Sequence, residues 1–96
     1  MAGVRLIIQF TADSSDIADK AIEGMVERCK AAQQEPGCLQ FEVFRSALQP
    51  EKYALLEHWE SPEALAVHAQ GMATNPPRPT PGITRVREDY QYNVTS

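Results

Sequence analysis

The sequence predicts an α+β sandwich laid out as βαββαβ, in one domain spanning residues 1–96. Two amphipathic helical stretches alternate with extended apolar ones. The middle two extended stretches are separated by only a short polar turn. A run rich in proline then divides the second helical stretch from a long final strand.

The first strand is Val4–Phe10, apolar and β-branched, and its near-continuous apolarity predicts cover on both faces. Asp13, Ser14 and Ser15 offer an N-cap for a helix whose inner stripe is Ile17, Ala21, Met25, Cys29 and Ala32. Acidic residues early in this helix and Arg28 and Lys30 late in it suit the helix dipole. Glu35-Pro36-Gly37 stops it.

The second strand is Cys38–Ser46. Strict alternation would place Leu39, Phe41 and Val43 on one face and Gln40, Glu42 and Phe44 on the other. A turn at Gln49–Lys52 makes the third strand, Tyr53–Glu60, antiparallel to it. In that strand Tyr53, Leu55, Glu57 and Trp59 project one way, and Ala54, Leu56, His58 and Glu60 the other. Ser61-Pro62-Glu63 is a helix start, with serine as cap and proline in the first turn, and the helix should run to about Met72. Asn75–Gly82 carries four prolines and reads as an extended loop before the last strand, Ile83–Val94. Right-handed crossovers around the central hairpin make this order a ferredoxin-like sandwich, with two helices on one face of an antiparallel four-stranded sheet. Apolar residues at both parities leave the other face in need of cover, and a symmetric homodimer is the simplest cover for so short a chain.

Composition removes several functions. The formal charge of −4 and the lack of a basic stripe argue against nucleic acid. No apolar run is long enough to span a bilayer, and the N-terminal run is too short for a signal peptide, so a cytoplasmic protein is expected. On that reading the sequon Asn93-Val94-Thr95 is chance. Cys29 and Cys38 match no zinc or thioredoxin spacing and read as reduced thiols. Two histidines on different elements make a poor metal site, and no nucleotide, flavin or triad motif is present, so no cofactor is expected.

Glu35–His68 contains three linked pieces: EPGCL at Glu35–Leu39, LLEHWES at Leu55–Ser61, and the Glu63-Ala64-Leu65 triplet followed by His68. Together they resemble the antibiotic biosynthesis monooxygenase family. The resemblance implies a dimeric α/β barrel, sheet against sheet, with the last strand reaching to the partner. It also implies a pocket between sheet and helices that takes a small aromatic or quinol substrate together with molecular oxygen, using neither metal nor flavin.

Under that resemblance Trp59 holds the ring of the substrate, and Leu55, Leu65 and Tyr53 help line its pocket. Glu57 and His68 are the candidate proton acceptors. Each has a plainer role open to it: core packing for Trp59, an ion pair for Glu57, a simple hydrogen bond for His68. His58, of opposite parity to Trp59, is expected at the interface, as are Tyr90 and Tyr92. The Asn and Tyr that quinone-forming relatives pair with this tryptophan fall at Leu55 and Leu65, so that polar set is missing. The heme-degrading relatives use Asn, Trp and His, and their Trp position carries His68. Two other functions stay open, an isomerase of a small carbonyl compound and a non-catalytic dimeric ligand-binding module.

Overall fold

The computed structural model describes residues 2–74 and 81–93. Its elements are β1 (Ala2–Ala12), α1 (Ser15–Ala32), β2 (Cys38–Arg45), β3 (Lys52–Trp59), α2 (Pro62–Thr74) and β4 (Ile83–Asn93). The expected order βαββαβ is therefore the observed one. Most of the expected loop, 75–80, lies outside the described residues, as do Val94 and Thr95.

The strands form one sheet in the order β2-β3-β1-β4, every neighbouring pair antiparallel. This is the ferredoxin-like arrangement: each helix carries the chain past one strand before it rejoins the sheet. Both helices begin as their sequence signals require. Ser14 Oγ accepts from the Ile17 amide at 3.2 Å, and Ser61 Oγ accepts from the Ala64 amide at 3.2 Å.

Gly37 and Gly82 close equivalent corners after the two helices. Their φ angles are 81° and 80°, a region that side chains disfavour. Each carbonyl accepts a backbone hydrogen bond from the residue just past another strand, from Glu60 at 2.9 Å and from Asp13 at 2.8 Å. These bonds tie the start of β2 to the end of β3, and the start of β4 to the end of β1.

Alternation holds in β1 and β3. Val4, Leu6 and Ile8 pack under the helices, and so do Tyr53, Leu55, Glu57 and Trp59. In β2 the register slips between Cys38 and Gln40. Cys38 pairs with Trp59, Phe41 with Glu57, and Leu39 is left over, 57% exposed. The expectation that Leu39 shares a face with Phe41 and Val43 is thus corrected, because a bulge adds one residue and moves everything before it to the other parity.

The main core joins β1, Phe41, Leu55 and Trp59 to Cys29 and Ala32 of α1. A smaller cluster packs Ala18 of α1 on Ala12 and Tyr53, with Phe10 stacked on Tyr53 at 4.8 Å and 7°. Arg45 ties β2 to α1, donating to Asp19 Oδ1 at 2.5 Å and to the Ser15 carbonyl at 3.2 Å. Neither described helix packs on the opposite face of the sheet. There Ile7, Leu56 and His58 are half-buried, and Phe44, Val86 and Tyr90 are exposed. Arg5, paired with Tyr90 and His58 in the sheet, donates to Gln40 across this face. No described helix is long and apolar enough to cross a membrane.

Candidate active-site cleft

The two helices do not close over the whole sheet. Between them and the sheet lies a cleft of about 1080 Å³, enough for a ring system of several fused rings. Leu6, Ile8 and Phe10 of β1 form its floor with Phe41, Tyr53 and Leu55. Ile17, Ala21 and Met25 of α1 make one wall, and Leu65, Ala69 and Met72 of α2 another. The open side is bordered by β4, whose Ile83, Arg85 and Arg87 point to the helix face.

Leu55, Leu65, Tyr53, Glu57 and His68 all line this cleft. Trp59 does not. It is 0% exposed, buried at the end of β3 beneath α2. Its indole N–H donates to Glu57 Oε1 at 2.9 Å, and its ring lies 4.7 Å from that of His68 at 34°. Trp59, expected to hold the ring of a substrate, thus lies beside His68 and is not among the residues that line the cleft. Strand parity reports which face a residue takes, not how deeply the helices cover it.

Glu57 is 4% exposed, and its hydrogen bond from Trp59 satisfies part of the need that burial imposes on a carboxylate. Tyr53 is pushed up in pKa by burial, so its phenol keeps its proton at neutral pH.

His68 is a closely held polar group of the cleft. Its side chain is 10% exposed, and Nδ1 sits 3.0 and 2.9 Å from the two carboxylate oxygens of Glu35. A carboxylate only accepts, so Nδ1 carries a hydrogen and Nε2 is the nitrogen left for other partners. Phe41 meets the ring edge-on at 5.4 Å. Glu35 belongs to the turn between α1 and β2, and in the sequence it read as part of a helix stop and of the EPGCL piece, not as a partner of His68. No local signal links it to His68, because the two are 33 residues apart and meet only when that turn docks beside α2.

Lys20, Arg28, Arg85 and Arg87 also line the cleft. Two of these were legible in principle. Lys20 and Arg28 lie eight residues apart on one flank of α1, beside its apolar stripe. No three His, Cys, Asp or Glu side chains among the described residues converge as metal ligands. Cys29 and Cys38 are both free thiols, raised in pKa chiefly by burial.

Such a fold and cleft define a small α+β domain able to enclose a compact organic molecule beside an oriented histidine. The chain belongs to the antibiotic biosynthesis monooxygenase family, whose model matches residues 4–73. Solved structures agree in fold. A conserved Bacteroides thetaiotaomicron VPI-5482 protein of unknown function, suggested to be an oxidoreductase, is 22% identical, with a TM-score of 0.76 over 95% of this chain and 98% of that one. A proposed antibiotic biosynthesis monooxygenase from Deinococcus radiodurans is 19% identical, with a TM-score of 0.65 over 100% and 94%. The heme-degrader MhuD of Mycobacterium tuberculosis, solved with two hemes in its active site, is 25% identical, with a TM-score of 0.67 over 97% and 96%. No curated protein matches the chain.

Proposed function

We propose that the cleft is the active site of a monooxygenase that oxidises a small, electron-rich aromatic or quinol with molecular oxygen. The observation that supports this reading is the Glu35–His68 pair, a histidine held through Nδ1 by a carboxylate at the wall of a cleft with an apolar floor, an arrangement suited to a general base. Family membership supports the reaction class, and the apolar floor supports the substrate class.

In this reading His68 Nε2 removes a proton from a substrate hydroxyl or from an acidic ring carbon. The resulting anion gives one electron to molecular oxygen, and the two radicals combine into a C–O bond. Where the oxidised carbon is a ring methylene, loss of water from the peroxide leaves a carbonyl. The methylene and dioxygen thus become a ring ketone and water. Both reducing equivalents come from the substrate, so no outside reductant is required. Glu35 holds the histidine tautomer and stabilises the imidazolium once the proton has moved. Glu57, already hydrogen-bonded to Trp59, is the lesser candidate as base.

The test is oxygen uptake by purified protein with a panel of quinols and polyphenols. Turnover that consumes oxygen and falls in His68→Ala supports the reading. Turnover of a carbonyl compound with no oxygen consumed would replace it with the isomerase.

The working form in this proposal is a homodimer joined through the bare face of the sheet. The supporting feature is the apolar surface around Leu56, Phe44 and Val86, which burial against a second copy would remove from water.

A further inference from the structure

The protein as a whole is acidic, with 13 Asp and Glu against nine Lys and Arg. The cleft is the reverse. Lys20, Arg28, Arg85 and Arg87 line it, against the single carboxylate of Glu57 among the described residues. Four of nine cations thus gather around one cavity in a chain whose net charge is −4.

Their placement follows from backbone geometry. Lys20, Gly24 and Arg28 succeed one another at one helical turn each, so the backbone positions of the two cationic residues stand about 12 Å apart along one wall. Arg85 and Arg87 alternate on β4 and stand about 7 Å apart on the facing side. Nothing lies within 4 Å of the position a Gly24 side chain would take, so the wall between Lys20 and Arg28 is open. Arg28 Nη2 contacts Met72 Sδ at 3.6 Å, reaching from α1 to α2. No ion pair holds Lys20, Arg28 or Arg85 among the described residues.

We infer that the cleft selects acidic ligands, with a carboxylate-bearing aromatic ring as its substrate class. The ring system lies over Leu6, Ile8 and Leu55, and its carboxylate meets the cations of α1 and β4 at the open side. An apolar floor alone would favour neutral rings, since bringing a carboxylate out of water without a partner is costly. The cationic border, exposed at the mouth of the cleft, offsets part of that penalty and raises the local concentration of anions. The inference names the substrate of the site proposed above and rests on that cleft being the active site.

The experiment compares the affinities of 1-hydroxy-2-naphthoate and 1-naphthol, measured by calorimetry at low and high salt. It is an equilibrium measurement, so it stands apart from oxygen chemistry. The acid is expected to bind about tenfold tighter at low salt, with the preference shrinking as salt rises. Arg28→Gln/Arg85→Gln should reduce the preference to about threefold or less. Lys30→Gln, the same type of charge change on an exposed residue paired with Glu27, should retain it. Gly24→Leu fills the gap without altering charge and should weaken both ligands.

Equal affinities, a preference untouched by the double variant, or undiminished binding in Gly24→Leu would overturn the inference. A preference that behaves as expected in a protein that consumes no oxygen would uphold it and defeat only the oxygenase reading.

Discussion

The ring of His68 rests on that of Trp59, the centroids 4.7 Å apart, while Nδ1 is held by Glu35 at 2.9 Å. One face and one nitrogen are thereby held by residues of two different segments, β3 and the turn between α1 and β2. His68→Ala should lower kcat by about 10²–10⁴-fold, the usual share of a general base. Glu35→Gln keeps a hydrogen-bond acceptor but loses the charge that stabilises imidazolium. It should lower kcat less than His68→Ala does. Steady-state kinetics separates the two variants, and full activity in both would remove His68 from the mechanism.

Trp59 does not itself line the cleft, so Trp59→Phe should act through the cleft residues it contacts, Glu57 and His68. Losing the indole N–H takes one donor from buried Glu57, and the smaller ring leaves a gap in the core. A stability loss of about 2 kcal/mol is expected in urea titration. kcat should fall while KM stays nearly constant. A large rise in KM with unchanged kcat would instead make Trp59 a substrate contact.

Two glycines should respond in opposite directions. A Cβ on Gly37 would stand 2.5 Å from Ala64 Cβ, at a φ of 81°. Gly37→Ala should cost at least about 1–3 kcal/mol from the backbone alone and unseat the corner that brings Glu35 to His68. Gly24 lies in the middle of α1 with open space around it, so Gly24→Ala should add up to about 1 kcal/mol. Chemical denaturation of both variants measures the contrast.

His58, on the bare face of the sheet, is lowered in pKa by burial and, secondly, by the charge of Arg5. Its folded-state pKa therefore lies below the unfolded value near 6.5. Between the two the unfolded chain binds more protons, so this contribution to stability is complete above about pH 6.5. It is lost as pH falls through that value toward the folded pKa. His58→Gln should flatten this part of the stability–pH curve; an unchanged slope would assign it to other groups.

The bare face also makes a prediction about assembly. Sedimentation should give a dimer, and Leu56→Glu, which places a charge amid half-buried apolar neighbours, should yield a folded monomer. A wild-type monomer at micromolar concentration would end the dimer proposal.

Cys29 and Cys38 should be slow toward thiol reagents at pH 7–8, since burial raises both thiols and Glu35 and Glu57 add to the effect at Cys38. Native protein should react far more slowly than protein in urea.

Everything carried by local periodicity and local chemistry was legible in the order of residues. The helix caps at Ser14 and Ser61, the stop at Gly37, the parity of β3 and the order βαββαβ all follow from neighbours within a few residues, and all are present. That same parity put Leu55, Glu57 and Tyr53 toward the helices, where the cleft lies. Three other features came only with the packing of elements in space. Trp59 is buried beneath His68, because depth depends on how far α2 extends over the sheet. β2 slips by one residue at Leu39, because a bulge answers to its partner strand. Glu35 reaches His68, and the cations of α1 face those of β4, because pairings across thirty or more residues exist only where two elements dock.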